Sequence, residues 1–110
     1  MRRLEKVTLV PAPVGSFASV WTVPANHKYE LVQASPSCFG GAATTFYIAR
    51  QIGAAVFFTD HIALAAGVFD GTRQYHDLLF NEGDQLLAGF IGAGAGGEAA
   101  VFDYVDVAFV

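Results

Sequence analysis

Three histidines and the carboxylates beside them are the residues of this chain whose types suggest metal chemistry. Two adjacent pairs, Asp60-His61 and His76-Asp77, occur in the second half of the chain, and His27 stands alone. Adjacent residues of a strand point to opposite faces, so each pair offers one ligand to any single site. The spacings His-x-His and His-x-x-x-His, which would place two imidazoles on one ion, are absent. We therefore expect half-exposed polar residues on edge strands or loops, with no metal site and no cofactor.

Motifs for nucleophilic catalysis and phosphate binding are equally weak. Ser35, Ser37 and Cys38 cluster, but a Gly-x-Ser-x-Gly motif and a cysteine-centred motif are absent. The glycine-rich run at residues 92–97 lacks the Gly-Lys-Ser/Thr ending of a phosphate loop and is typical of a flexible hairpin tip. The sequence thus predicts a protein that is not an enzyme. A small cupin-like enzyme is disfavoured because the histidine spacing is missing.

The aromatic residues leave a carbohydrate-binding face open as an alternative. The chain has ten Phe, four Tyr and one Trp. Exposed aromatic rings flanked by polar side chains form platforms for ligands such as sugars. Tyr47, Tyr75 and Tyr104 are candidates by composition only. Most aromatic residues of a small sandwich belong to its core, so we rank sugar binding below protein binding.

The composition favours a chain that buries surface against other proteins. The 110 residues suit one domain, and only 15% are charged while 54% are hydrophobic, against about 25% charged in an average domain. Part of this apolar excess is expected to lie against other subunits, the alternative being a monomer with an unusually apolar surface. A net charge of −4 disfavours nucleic-acid binding. No signal peptide is visible and no apolar run approaches the roughly 18 residues of a membrane span, so we expect a soluble, non-secreted protein with no membrane partner.

Short β-prone segments separated by turn residues every ten residues or so predict an all-β fold, a sandwich or a barrel. The predicted strands are residues 4–10, 16–23, 28–35, 44–50, 56–64, 67–70, 73–80, 85–91 and 99–110. Residues 46–58 and 62–66 contain helix formers but lack an N-cap with a helical stripe, so helix is the less favoured alternative there. Alternation and residue type predict a core containing Trp21, Leu31, Phe46, Ile48, Leu86 and Val107.

Two of the turns have chemistry of their own. In the turn at residues 81–84, Gly83 can adopt a positive φ, and Asn81 and Asp84 can bond nearby backbone amides. Asp70-Gly71 suits a two-residue hairpin turn. These residues need no functional explanation.

Four stretches together carry a resemblance to a known group. They are residues 21–32 (WTVPANHKYELV), 47–50 (YIAR), 62–67 (IALAAG) and 78–88 (LLFNEGDQLLA). Their order resembles that of small β-sandwich proteins of tailed-bacteriophage virions, over residues 21–110. The group comprises decoration, cement and tail-associated proteins, and the shared motifs are turns, which specify fold better than role.

The resemblance implies an antiparallel, jelly-roll-like β-sandwich located in a virion. It implies a structural protein that binds capsid or tail proteins, such as the major capsid protein, and that associates with itself. A decoration or cement role and a trimer are favoured. The alternative is a receptor- or glycan-binding module of a phage tail.

The N-terminal segment differs in charge from the rest of the chain. Residues 1–28 carry a net charge of +3 and residues 60–110 a net charge of −7. We divide the chain into a single β-sandwich domain at residues 15–110 and a segment at residues 1–14 that is either its first strand or an arm. Pro11 and Pro13 would end ladder pairing after it. An arm would add to a neighbour's sheet edge, guided by charge. The predicted contact residues are Arg2, Arg3, Lys6, Val7 and Leu9.

Overall fold

The computed structural model describes residues 2–7, 17–37, 44–65, 71–92 and 99–109, and nearly all of them lie in strands or tight turns. A single 3-10 helix, Val107–Phe109, follows the last strand. The described strands are β1 (Arg2–Val7), β2 (Ala18–Thr22), β3 (Tyr29–Ser37), β4 (Thr44–Ile52), β5 (Ala55–Leu64), β6 (Arg73–Gln74), β7 (Leu79–Phe80), β8 (Gln85–Gly92) and β9 (Ala99–Asp106). The all-β prediction is confirmed. Described residues of the two segments considered for helix, 46–58 and 62–66, belong instead to the β4–β5 hairpin and its end.

The strands form two antiparallel sheets. Sheet A has the order β1-β9-β3-β6, with β7 also pairing with β3, and sheet B has the order β2-β8-β4-β5. The pairs β1/β9, β2/β8, β3 with β6 and β7, and β4/β5 are nested, as in one long hairpin whose turn lies at residues 53–54. Rolling that hairpin brings β9 beside β3 and β8 beside β4. This is the topology of a jelly roll, and it confirms the predicted antiparallel sandwich.

The core lies between the two sheets and is rich in aromatic side chains. Trp21 of β2 makes edge-on contacts with the rings of Tyr29 and Phe80, at centroid distances of 5.1 and 4.9 Å. Tyr104 completes this group, 4.7 Å from Tyr29. We call these four residues the Trp21 cluster. Phe46, Ile48, Leu86 and Phe102 extend the core along the sandwich.

Five of the six predicted core residues are buried: Trp21, Leu31, Phe46, Ile48 and Leu86. The prediction for Val107 is wrong, because this residue is half-buried and lies in the 3-10 helix. In β9 the side chains of Phe102, Tyr104 and Asp106 are all buried. Two-residue periodicity therefore directs position 106, rather than 107, towards the core.

One predicted strand is interrupted. Residues 73–80 form two short strands, β6 and β7, separated by a bend at His76 and Asp77. Asp77 has a φ of 57°, in the left-handed region that interrupts an extended ladder. The predicted strand at residues 67–70 lies outside the described residues, and so does Asp70 of the predicted Asp70-Gly71 turn.

The turn at residues 81–84 has the conformation that its sequence predicts. Gly83 has a φ of 83°, and Asp84 accepts a hydrogen bond from the Asn81 amide at 3.0 Å. A second contact joins this turn to the one after β2, where the Asn26 amide donates to the Glu82 carboxylate at 2.7 Å. The two turns close one end of the sandwich together.

No helix in the described part of the chain has the length and apolarity to cross a membrane.

Candidate interaction surface

The tip of the β4–β5 hairpin projects past its neighbours. Strand β8 begins at Gln85, which pairs with Gln51, so β4 residues beyond Gln51 have β5 as their only described strand partner. The turn is compact, because Gly53 has a φ of 60° and the Gln51 side chain donates a hydrogen bond to the Gly53 carbonyl at 3.1 Å. Every residue from 52 to 59 is exposed.

Four large apolar side chains lie on this exposed hairpin. Their exposed fractions are 47% for Ile52, 46% for Val56, 54% for Phe57 and 65% for Phe58. We call them the hairpin patch. Soluble proteins commonly expose single apolar side chains, but four large ones on one short hairpin are typical of an interaction surface.

Both faces of the hairpin contribute to the patch because β5 contains a bulge. Ile48 pairs with Asp60 and Ala49 pairs with Phe58, so Thr59 is an extra residue in β5. Phe57 lies opposite Arg50 and Phe58 opposite Ala49. Successive side chains of a strand alternate in direction, so the two phenylalanines occupy opposite faces of sheet B.

A cleft of about 390 Å³ lies between the hairpin and the loop before β7. It is lined by Arg50, Ile52, Phe57, Phe58, Thr59 and Leu78. The Arg50 guanidinium lies 4.3 Å from the centre of the Phe80 ring and donates a hydrogen bond to the Leu79 carbonyl. Its Nε atom is buried and has no hydrogen-bond partner among the described residues. Arg50 therefore links the hairpin to the Trp21 cluster.

On the outer face, a row of rings extends from the hairpin across sheet B. Phe58 contacts Phe17 at 5.6 Å and Tyr47 at 6.0 Å between ring centres. Tyr47 in turn stacks on His61, at 5.8 Å and an interplanar angle of 29°. Of the three tyrosines considered for sugar binding, only Tyr47 belongs to this row.

The other two tyrosines serve the structure. Tyr104 is buried in the Trp21 cluster. The Tyr75 hydroxyl donates to the Asp60 carboxylate at 2.9 Å, and Arg73 pairs with the same carboxylate at 2.9 and 3.0 Å. Burial and the hydrogen bond to Asp60 raise the pKa of Tyr75 above its usual value. This group ties β5 to the β6 segment of sheet A.

Of the two adjacent His/Asp pairs, only the first contributes such a residue, Asp60. Asp60 is engaged with Arg73 and Tyr75, whereas His61 is exposed on the outer face. His76 and Asp77 are both exposed in the bend before β7. Within the described residues, no three side chains of His, Cys, Asp or Glu lie close enough to hold a metal ion.

A contact that the sequence reasoning missed joins His27 to Asp106. Nδ1 of His27 lies 2.5 Å from Oδ2 of Asp106, whose side chain is only 2% exposed. The Ala108 amide donates to Oδ1 at 3.2 Å. Burial acts to raise the pKa of Asp106, but the hydrogen bonds from His27, Ala108 and Lys28 outweigh it and hold the pKa below its usual range. The alternation of Phe102 and Tyr104 was the signal in the sequence that places residue 106 inwards.

The predicted contact residues at the N-terminus divide into two groups. Arg2, Arg3, Lys6 and Val7 lie in β1, which pairs with β9 of the same chain over six residue pairs. Leu9 lies outside the described residues. Strand β1 is at one end of sheet A. A contact between these residues and another copy stays a prediction.

The serine cluster is part of the sheet. Ser35 and Ser37 belong to β3, and the Ser35 hydroxyl accepts hydrogen bonds from Gln33 and Thr72. Cys38 and most of the glycine-rich run at residues 92–97 lie outside the described residues.

Comparison of the sequence with protein-family models and with curated proteins found no match.

Proposed function

We propose that this protein is a non-catalytic structural protein of a tailed-phage virion, which binds capsid or tail proteins through the β4–β5 hairpin. A decoration or cement role is the one we favour. The observation that carries the binding proposal is the hairpin patch, in which four large apolar side chains are exposed on one hairpin at the edge of sheet B. Burying such a patch against a partner releases water from apolar surface, and this release is the main driving force of protein association.

The virion assignment rests on the motif resemblance, and the jelly-roll topology accords with it. Jelly rolls occur in viral capsid proteins, but also in lectins and cupins. Because one fold serves several functions, the role must be argued from the surface. The hairpin patch favours burial against a protein, since its four members bring no charge and few hydrogen-bonding groups.

Rebinding to particles tests this function. Virions of the phage that carries the gene are stripped of the protein, and purified wild-type protein is added back and measured by co-sedimentation. The double variant Phe57→Ser, Phe58→Ser should bind at least about tenfold more weakly, because two exposed anchors of the interface are removed. Ala25→Ser, which alters an exposed residue in the turn after β2, at the opposite end of sheet B from β5, should bind like the wild type.

Mass spectrometry of purified virions supplies the second readout. The protein should be present at many copies per particle, as a decoration or cement role requires. Absence from the virion, or undiminished rebinding of the double variant, would show that the proposal is wrong.

The N-terminal contact has its own test within this proposal. Changing Arg2 and Arg3 to Glu should weaken assembly at low salt and have less effect at high salt, because dissolved ions screen the attraction between opposite charges. This variant is cleaner than a deletion of residues 1–10, since the deletion also removes β1 and its pairing with β9. Assembly that is unchanged at low salt would remove Arg2 and Arg3 from the interface.

Glycan binding is the second candidate, and one observation favours it. The row of rings formed by Phe17, Phe58, Tyr47 and His61 lies on an open face of sheet B, and aromatic platforms of this kind stack on sugar rings. A glycan array separates the two functions. Saturable binding that is lost in Tyr47→Ala would favour the glycan module, and an array without binding would favour the structural role.

A further inference from the structure

The first half of β5, an edge strand, lacks the usual protection against pairing. Strand β5 is the last strand of sheet B, and no described strand pairs with its other side. Proteins commonly protect such edges with charged residues, proline or very short strands. Strand β5 has ten residues, and the stretch from residue 51 to residue 59 contains neither a charge nor a proline. The bulge at Thr59 and the charge of Asp60 protect the second half of β5, and they leave Ala55 to Phe58 extended and uncharged.

We infer that β5 pairs with β5 of a second copy of this chain, antiparallel and about a twofold axis beside Phe57. This pairing joins two copies of sheet B into one continuous eight-stranded sheet. The inference rests on the proposed protein-binding function of the hairpin and adds self-association to it: the edge of β5 pairs with β5 of another copy, and the joined hairpins together form the surface that a capsid or tail protein binds.

A twofold axis at Phe57 is the register that the side chains favour. In a twofold interface, residue i of one copy meets residue j of the other, and j meets i. With the axis at Phe57, the two Phe57 side chains meet on the inner face, and each Val56 lies opposite Phe58 of the second copy on the outer face. Apolar side chains then meet apolar side chains on both sides of the new ladder.

Neighbouring registers are less favourable. A shift of the register by one residue would place Phe57, on the inner face, opposite Val56 or Phe58 of the second copy, on the outer face. Residues directly opposite each other in a ladder point to the same face, so the inner and outer faces of the two copies would no longer match. An axis at Asp60 would bring two carboxylates together, and like charges directly opposite destabilise a pair of strands. Because residues 51–59 are uncharged, the register at Phe57 places no like charges directly opposite each other along this stretch.

The exposed area is sufficient for a weak, concentration-dependent dimer. The three members of the hairpin patch that lie on β5 have exposed fractions of 46%, 54% and 65%, which offer roughly 330 Å² per copy if each large side chain presents about 200 Å². Two copies therefore bring roughly 660 Å² of apolar side chain. The strand backbone, Ala55 and Thr59 add the remainder that a specific interface of about 1,000 Å² needs.

Cysteine cross-linking tests the register. All variants carry Cys38→Ser, which removes the single native cysteine. Phe57→Cys should form a disulfide-linked dimer under mild oxidation, because the two positions face each other. Ala55→Cys is the matched control, since its two copies would lie about 13 Å apart along the ladder, beyond the roughly 7 Å that a disulfide spans. Equal cross-linking of both variants, or none at position 57, would overturn the register.

A second measurement tests the same register with Phe57 intact. A mixture of Val56→Cys and Phe58→Cys chains should give a disulfide between the two kinds of chain in preference to either homodimer. Without cysteine variants, sedimentation equilibrium of the wild type should show a monomer–dimer equilibrium. Phe57→Asp should raise its dissociation constant at least about tenfold, while Ala25→Asp, with the same charge at an exposed turn, should leave it unchanged.

The outcomes separate this inference from the proposed function. A wild-type chain that is monomeric, yet binds virions through Phe57 and Phe58, would overturn the β5 pairing and leave the proposed function standing. A dimer with the predicted cross-links that does not bind virions would support the pairing and remove the virion role.

Discussion

The Trp21 cluster and the hairpin patch are built from the same kinds of side chain, yet one is buried and the other is exposed. Trp21 projects from sheet B onto Tyr29, Phe80 and Tyr104 of sheet A, so both sheets enclose the cluster. The hairpin patch lies on strands that extend beyond the end of β8 or form the edge of sheet B. Coverage by neighbouring strands and by the opposite sheet, rather than the residue type, therefore decides which apolar residues of this chain become core.

Truncation within the Trp21 cluster should have the largest effect on stability. Phe80 is fully buried, and Phe80→Ala removes a ring that contacts both Trp21 and Arg50. We expect the free energy of unfolding to fall by about 3–5 kcal/mol, the usual range for such a change in a core. Urea denaturation followed by Trp21 fluorescence measures it. A loss of less than about 1 kcal/mol would contradict the view that this cluster is the tightly packed part of the sandwich.

Arg50 connects the two regions, and its replacement should have an intermediate effect. Arg50→Met keeps the length of the side chain but removes the charge over Phe80 and the hydrogen bond to the Leu79 carbonyl. We expect the free energy of unfolding to fall by about 2 kcal/mol, the size estimated for cation–π contacts shielded from water. Arg50→Lys retains the charge without the planar donors and should lie between Met and the wild type. Lys as destabilising as Met would mean that the charge over Phe80 contributes little.

Asp106 should give a smaller effect that depends on pH. An aspartate in the unfolded chain has a pKa of about 3.9, and the hydrogen bonds that outweigh burial hold the folded value lower. The ionised carboxylate therefore stabilises the fold above about pH 4, and this stabilisation is lost as the pH falls through the folded pKa. Asp106→Asn should be less stable than the wild type at pH 7, and the gap should narrow towards pH 2.

Asp77→Asn is the control for this pH dependence. Asp77 is exposed and has a positive φ, which Asn also tolerates. Thermal unfolding of both variants across the pH range compares them. A gap for Asp106→Asn that is constant with pH would show that its charge does not stabilise the fold.

The hairpin patch should give the smallest effect on stability. Phe57→Ser changes a side chain that is more than half exposed, so the free energy of unfolding of the monomer should change by no more than about 0.5 kcal/mol. Urea denaturation at a dilution where the chain is monomeric measures this change. A loss comparable to that of Phe80→Ala would mean that Phe57 belongs to the core after all, and the contrast between the two regions would fail.

Position 27 illustrates what a single sequence leaves undetermined at a site. His27 looks like an unremarkable turn residue because Asp106, its partner, lies 79 positions away. The pairing exists because β3 and β9 are neighbours in sheet A, with Tyr29 opposite Asp106. Local patterns report which residues are strand and which are turn, but they do not report which strands become neighbours.

The exposed hairpin shows the same limit from the other side. The apolar composition of residues 56–64 predicts a strand, and β5 covers this range. Nothing in the run distinguishes it from the buried run at Phe46 and Ile48. Its exposure follows from where β8 begins and from the position of β5 at the edge of sheet B.

The sequence by itself determined the elements of this protein: short alternating strands, a Gly83 turn and five core residues of the six predicted. It could do so because strand periodicity and turn conformation depend on neighbouring residues, through backbone sterics and local hydrogen bonds. The tertiary structure alone decided the nesting of the strands, the His27–Asp106 pair and the exposure of Phe57 and Phe58. These features depend on contacts between segments far apart in sequence, whose partners are selected when the two sheets pack together.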